Sequence, residues 1–387
     1  VTRLLHVTTT DISLALLLGP QLRAFAAAGY EVWTASAPGP YVDQLDDWGI
    51  RHLPLRHATR ALAPHRDLQA LGELRSVFRS TQPHIVHTHN PKPGVYGRLA
   101  AKAARVPVVV NTVHGLYAQP GDSWRKRAFV YGLERVAATC SSAELVQNPE
   151  DMETLARIGV PRTKLHLLGN GVDLSRFDPA NVAEPERQAV RAELGVAPGD
   201  VVVGAVGRLV WEKGYRELFA AADIVRRRLP QARFVVAGPT EPDKADAVSG
   251  ADMARAEASG VLFLGLRHDV ERLYAGMDLY VLASHREGFP RSAMEAAATG
   301  LALVVTDIRG CREVVTDGVN GLLTPAHDGP SLAEAIAKLV ADPELRRRMG
   351  QAGRKKATAE FDQQRVIDIT LGVYDTLLAR RALEHAA

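Results

Sequence analysis

Glu287 and Glu295 bracket a Gly288-Phe289-Pro290 turn followed by Arg291, Ser292 and an Ala-rich run. A strand is expected to end near Ser284 and a helix to begin near Arg291, with Pro290 suited to the first helical position, where its missing N–H is no loss. A helix start presents free N–H groups and a positive dipole end, which suits a diphosphate. Glu295 then lies roughly 6 Å along the axis, so the two carboxylates address different parts of one ligand. Alone, such a pair reads as two solvated surface acids. Upstream, Val203-Gly-Ala-Val-Gly207-Arg208-Leu-Val-Trp-Glu-Lys213-Gly214 adds a bidentate fork at Arg208 and a compact cation at Lys213. Together these would neutralise charge developing on a departing diphosphate. The glycines Gly204 and Gly207 complete neither a Walker A loop nor a dinucleotide fingerprint.

The first half offers weaker signals. His114 ends a strand in Val113-His114-Gly115, and His87, His89, Asn90 and Lys92 form a second strand-end cluster. The His-x-His spacing hints at a metal, but no third ligand of suitable spacing accompanies it, and no metal is expected. A substrate-side role and plain loop packing stay open for His89 and Lys92. The first turn, Thr8 to Ser13, has no glycine; the polar groups of Thr9, Thr10, Asp11 and Ser13 are available to a second substrate instead. Trp124-Arg-Lys-Arg-Ala-Phe-Val-Tyr131 mixes basic and aromatic residues, as either an interfacial membrane helix or an ordinary surface helix would.

The elements that must position these groups alternate. Strands are expected at Leu4–Thr8, Glu31–Ser36, Ile85–Thr88, Val108–Val113 and Lys164–Leu168, with helices such as Leu68–Ser80 and Tyr96–Ala104 between. After a polar stretch, Gly169–Pro198, which reads as a connection, the pattern restarts with Val201–Val206, Arg233–Ala237, Val261–Leu264, Leu279–Ala283 and Ala302–Val305. Such alternation implies an α/β chain of two doubly wound parallel sheets in tandem, with ligands at the C-terminal ends of the strands. Val366, Ile369, Val373, Tyr374 and Leu377 recur at helical spacing within Gln363–Arg380, a long terminal helix with one apolar face.

At 387 residues the chain suits two domains, and 46% hydrophobic with 24% charged residues is an ordinary globular composition. No apolar run approaches the roughly 20 residues of a membrane span, and Leu14–Leu18 lacks the flanks of a signal peptide. Two cysteines, Cys140 and Cys311, make no disulfide framework, so a cytoplasmic setting is expected. The net charge of +3 is uneven: the first 168 residues carry 19 Lys and Arg against 13 Asp and Glu. That excess fits an anionic membrane surface or a phosphate-bearing substrate as well as it fits ordinary surface charge. Nucleic acid is excluded as a partner, because no dense basic patch with interleaved aromatics occurs.

The Glu287–Glu295 segment resembles the E-x7-E motif of glycosyltransferase family 4, and Gly207-Arg208-Leu to Lys213-Gly214 resembles the same family's G-R-L-x-x-x-K-G block. Gly169-Asn-Gly-Val-Asp173 with Phe177, Leu264 to Asp269, Thr306 to Val315 and Asp317 to Gly321 match further family motifs in order. The resemblance implies the GT-B fold: two Rossmann-like domains facing across a cleft, the first comprising 1–168 with a returning helix at 363–387, the second 169–362. It implies a retaining hexosyl- or N-acetylhexosaminyl-transferase, metal-independent and without a cofactor, using a nucleotide-diphosphate sugar, with uridine the favoured base. Glu287 would meet the donor sugar's hydroxyls, Glu295 the ribose, Arg267 and its turn the nucleobase, and Gly207, Arg208, Lys213, Gly288, Phe289, Pro290, Arg291 and Ser292 the rest of the donor. His114 would be the active-site histidine, catalytic with Arg208, Lys213 and Glu287. The glycine-free first turn resembles members acting on polyprenyl-diphosphate-linked sugars, which gives Thr10, Asp11, Ser13, His89 and Lys92 to the acceptor side. A glycan or small-molecule acceptor is the other option. No feature sets an oligomeric state. The rivals are a sugar-nucleotide epimerase on a similar fold and a catalytically silent binding subunit.

Overall fold

The computed structural model describes residues 1–59, 64–118, 121–242 and 244–386, with residues 385 and 386 described by backbone alone. The chain divides into two units, Val1–Gly169 with Gln364–Ala387, and Asn170–Gln363.

The first unit is a seven-stranded sheet in the order β3-β2-β1-β4-β5-β6-β7, and every paired strand is parallel. Its strands are β1 (Arg3–Thr10), β2 (Glu31–Ala37), β3 (Arg51–Pro54), β4 (Ile85–His89), β5 (Val108–Val113), β6 (Ala143–Val146) and β7 (Leu165–Leu167). β4 and β5 are buried along their whole length, as central strands covered on both faces must be. The long helix Gln363–Ala386 lays Val366, Ile367, Val373 and Tyr374 into this unit's core beside Leu4, Phe25, Ile85 and Val108.

The second unit is a six-stranded sheet in the order β10-β9-β8-β11-β12-β13, again parallel throughout. It comprises β8 (Val201–Val206), β9 (Ala232–Ala237), β10 (Val261–Phe263), β11 (Leu279–Leu282), β12 (Ala302–Thr306) and β13 (Gly321–Thr324). In each unit the strand order reverses beside the first strand, between β1 and β4 and between β8 and β11. Open α/β sheets bind ligands at such switch points.

Three strands differ from expectation. β3 is four residues with Pro54 at its end, β13 opens on a glycine, and β6 carries Glu144. Each lacks a clear apolar run, and each is held by its neighbour's ladder. Glu144 is tolerated inside because Arg98, wholly buried, donates to it at 2.6 Å and to Glu134 at 2.6 Å, while Asn111 donates at 2.8 Å. The stretch 169–198 is also more than a connection. Glu184–Glu193 is a helix of the second unit, whose Val190 is buried and whose Arg191 donates to Asp278 at 2.8 Å. A single deeply buried apolar position on that helix explains why it reads as polar linker.

Candidate functional site

Two short turns meet at the second unit's switch point. One follows β8 and runs through Gly207 and Arg208 to a 3-10 turn, Trp211–Lys213; the other follows β11 through Ser284 to Pro290. Gly214, at φ 74°, lets the first lie against the second, since a Cβ there would stand 1.9 Å from the Ala283 carbonyl oxygen. Gly310 does the same for the opposite wall, where a Cβ would stand 2.5 Å from the Gly288 carbonyl oxygen. The turns bring Lys213 Nζ to 2.5 Å from Glu287 Oε1, which also accepts from Ser284 Oγ at 2.7 Å. Glu287 is mostly enclosed, its side chain 12% exposed.

The helix Arg291–Ala298 starts one residue later than Pro290 would give as its first position: Pro290, with ψ 113°, is the N-cap. Its ring still removes an N–H that would otherwise go unpaired. Glu295 accepts from Tyr274 Oη at 3.1 Å and from Arg291 Nε at 3.2 Å. Burial pushes its pKa up, only partly offset by Arg291 and Tyr274. Tyr280 Oη donates to Ser292 Oγ at 2.7 Å, and Tyr274 Oη also reaches the Ser292 carbonyl at 3.2 Å. Two buried tyrosines thus fix the helix start from beneath.

Arg208 extends to Glu241, at 3.2 and 3.3 Å. Burial raises the Glu241 pKa, but Arg208 and Lys244 outweigh it and hold the carboxyl below its usual value.

In the first unit, His114 is the accessible end of a row of imidazoles. His114 Nε2 lies 2.9 Å from His89 Nδ1, and His89 Nε2 lies 3.1 Å from His6 Nδ1. His6 Nε2 reaches Tyr374 Oη at 3.5 Å; that hydroxyl is 2.5 Å from His87 Nδ1, and His87 Nε2 is 2.7 Å from Thr112 Oγ1. Burial lowers the pKa of His6 to about 3 and of His114 to about 4, and holds His87 and His89 well below the ordinary value. The rings are therefore neutral at pH 7, each with one donor and one acceptor nitrogen. The direction of every bond in the row is then coupled to the next, and the row sets which nitrogen of His114 carries its proton. His6, His87 and His89 also lie within metal-ligating reach of one another. Every one of their ring nitrogens already has a partner, which leaves none for an ion.

Family models match both parts of the chain: a glycosyl transferase 4-like domain over residues 18–171 and glycosyl transferases group 1 over 186–356. An Escherichia coli UDP-Gal:alpha-D-GlcNAc-diphosphoundecaprenol alpha-1,3-galactosyltransferase is 30% identical over 89% of this chain and 88% of its own. The chain is a group 1 glycosyltransferase. A second relative, the N,N'-diacetylbacillosaminyl-diphospho-undecaprenol alpha-1,3-N-acetylgalactosaminyltransferase of Campylobacter jejuni, is 25% identical, covering 93% of this chain and 94% of its own. Anabaena Alr3699/HepE, solved in complex with UDP, is similar over 98% of this chain and its whole length, with a TM-score of 0.78 and 21% identity. The glycosyltransferase has the GT-B fold.

Within the second unit of this glycosyltransferase, Lys213, Glu287, Arg291, Ser292 and Glu295 surround one switch point, as described. Others are engaged elsewhere. Arg267 gives its fork to Asp269, at 2.7 and 2.8 Å, and its remaining nitrogen to Glu193. The Phe289 ring packs edge-on against Phe361 at 5.7 Å, and its carbonyl accepts from Asn170. In the first unit, Asp11 is buried and holds the amides of Ile12 and Tyr41, at 2.9 and 2.8 Å. Lys92 pairs with Asp67 at 2.5 Å. Thr10 and Ser13 hydroxyls lie 3.5 Å apart at the end of β1.

His6, Tyr274, Tyr280, Ser284, Glu241 and Tyr374 contact the candidate residues, and sequence reading gave none of them a site role. His6 left one trace, a histidine in a strand otherwise apolar up to Val7. The tyrosines sit at positions indistinguishable from core, because their rings are core and only their hydroxyls reach the site.

Proposed function

We propose that this glycosyltransferase moves a hexosyl or N-acetylhexosaminyl group from a UDP-sugar to a hydroxyl of a polyprenyl-diphosphate-linked sugar. Retention of the anomeric configuration, with no metal at the donor diphosphate, completes the reading. The observation that carries it is the Lys213–Glu287 pair, 2.5 Å apart, beside the helix start whose first turns hold Arg291 and Glu295. The names of the Escherichia coli and Campylobacter jejuni relatives support the acceptor class, and the UDP bound by the Anabaena protein supports the base.

In this reading Glu295 holds the ribose, and Glu287 meets hydroxyls of the donor sugar. Glu287 Oε1 is already committed to Lys213 and Ser284. In this reading the carboxylate is held as a ligand for sugar hydroxyls and no other carboxylate is assigned to the anomeric carbon, so a double displacement has no nucleophile. The acceptor oxygen instead attacks the anomeric carbon from the face the diphosphate leaves. The bond from that carbon to the diphosphate oxygen breaks, and the acceptor's proton passes to the departing diphosphate. Lys213, Arg208 and the Arg291 helix start stabilise the charge that develops there. His114, neutral and oriented by His89, serves a donor hydroxyl.

The helix Trp124–Ala138 supplies the contact with the carrier's membrane. Trp124 (73%), Phe129 (67%), Leu133 and Val136 are exposed along it, and Arg125, Lys126 and Arg127 flank them. An apolar face edged with cations is what a helix lying on an anionic bilayer presents. We place the enzyme on the cytoplasmic face.

A screen of UDP-, GDP- and ADP-sugars without added divalent metal tests the proposal, reading melting temperature, nucleotide diphosphate release and transfer to short polyprenyl-diphosphate sugars. UDP-sugar should stabilise the protein, be slowly hydrolysed, and give an α-linked product from an α-linked donor; Glu295→Ala should lose all three. A trapped glycosyl adduct on Glu287, or transfer that requires Mg²⁺, would overturn the mechanism. Conversion of the sugar without nucleotide release would overturn the activity.

A further inference from the structure

We propose that Glu217, His285 and His327 form a binding site for a late-transition divalent metal ion, with Zn²⁺ the probe of choice. The three come from separate elements of the second unit: the first turn of the helix Tyr215–Arg228, the turn after β11, and the loop between β13 and the helix Gly329–Ala341. His285 Nε2 lies 3.1 Å from Glu217 Oε2, and His327 Nδ1 lies 3.6 Å from Glu217 Oε1. A tetrahedral zinc with bonds of about 2.0–2.1 Å sets its ligand atoms roughly 3.3 Å apart; His285 Nε2 and Glu217 Oε2 stand near that spacing, and one ligand atom from each of the three residues lies within 4.8 Å of the others.

The decisive feature is what the atoms do not do. His285 Nε2 and Glu217 Oε2 are both buried, yet neither has a hydrogen-bond partner, although they stand 3.1 Å from each other. Buried polar atoms are nearly always paired, and an orphan needs an explanation. Two atoms this close that do not hydrogen-bond to each other can both ligate an ion set at a point within reach of each. An ion at that point satisfies both. His327 adds a third donor from the open side: its side chain is 67% exposed, and its backbone takes φ 63°, an unfavourable left-handed conformation for a residue with a Cβ. Its ring stands 3.8 Å from that of His285, tilted by 42°, so the two imidazoles converge without stacking flat. Water or solute would fill the fourth position.

Two imidazoles and one carboxylate suit Zn²⁺, Co²⁺ or Ni²⁺ and not the hard, oxygen-seeking Mg²⁺ or Ca²⁺. The site is distinct from any metal at the donor diphosphate. Its place in the sequence gives it reach, because Glu217 lies four residues beyond Lys213, across Gly214, and His285 lies two residues before Glu287. A bound ion would therefore pin together the two segments that make the Lys213–Glu287 pair. The inference does not depend on the donor or acceptor proposed above.

The test uses the chelator-stripped protein titrated with ZnCl₂ or CoCl₂, with calorimetry, melting temperature and the visible Co²⁺ spectrum as readouts. One Zn²⁺ per chain should bind at micromolar affinity and raise the melting temperature; Mg²⁺ should do neither. Co²⁺ should give the intense visible bands of a four-coordinate nitrogen and oxygen site. His327→Ala, in an exposed loop, should keep the metal-free melting temperature and weaken Zn²⁺ binding about tenfold or more through loss of one ligand. The proposal is overturned if wild-type protein shows neither binding nor stabilisation at Zn²⁺ concentrations on the order of 100 µM, or if His327→Ala and Glu217→Gln both bind as the wild type does. Should either variant fail to fold, the Co²⁺ spectrum of the wild type decides alone.

Discussion

Lys213 has a task that a single substitution separates from folding. It is the cation nearest Glu287, and it sits in a short surface turn rather than in the core. Removing one preorganised electrostatic contact to a leaving group typically lowers turnover by about 10²–10³-fold. Lys213→Ala is therefore expected to cut kcat for UDP-sugar turnover by about that factor while changing the melting temperature little; rates at saturating donor check it. A variant that keeps its rate would remove Lys213 from the chemistry. At this scale much was legible in the sequence. Arg208, Lys213, Glu287 and Glu295 read as surface charges by themselves and stand out only through the family motifs they occupy. What the spacing could not convey is that Arg208 is shared with Glu241, or that Arg267 is bound to Asp269 and Glu193. Those partners are remote in sequence or set by side-chain direction.

Elements raise a different question, namely which of their faces is unpartnered. The Trp124–Ala138 helix buries Glu134, Ala137 and Ala138, whereas Phe129, Leu133 and Val136 face outward. Phe129→Glu puts a negative charge on that face without touching a buried contact. It should abolish co-sedimentation with vesicles rich in anionic lipid and leave soluble-acceptor activity intact; undiminished sedimentation would rule out the helix as a membrane contact. The inward face makes the opposite prediction. Arg98 lies wholly buried between Glu134 and Glu144, and truncating it strands both carboxylates. Breaking a buried ion pair on one side costs about 3–5 kcal/mol. Arg98→Ala should shift the urea midpoint by a corresponding amount. The basic and aromatic mixture of this helix was readable from sequence, but its direction was not, since both an interfacial and an ordinary surface helix share that pattern.

For the whole molecule the buried histidines make stability sensitive to mild acid, between about pH 6.5 and 4. The folded-state pKa values of His6 and His114, about 3 and about 4, lie below their unfolded value, and those of His87 and His89 are depressed in the same direction. Below an unfolded pKa of about 6.5 the unfolded chain takes up protons that the folded chain refuses. Their contribution to stability is thus complete above pH 6.5 and declines as pH falls towards 4. Each such histidine weakens folding by about 1.4 kcal/mol per pH unit across that window. Urea melts at pH 7.5 and 5.5 should show a marked loss at the lower pH, reduced in His6→Gln. Equal midpoints would mean the row is solvated and not closed off.

Sequence alone determined the alternation of strand and helix, the two parallel sheets, the GT-B family motifs and the charged residues those motifs carry. These are local in the chain: a run of valines, a proline before a helix, a glutamate one turn beyond a turn. Tertiary structure decided the rest. His6, His87, His89, His114 and Tyr374 become one hydrogen-bonded row only because β1 and β4 pair with His6 opposite His87, and because the last helix returns to the first sheet. Glu217, His285 and His327 converge only where a helix start and two strand-end loops crowd together. Helical and strand periodicity tells a residue which face it occupies. What stands opposite that face is set by sheet order and packing, which no spacing within a single element encodes.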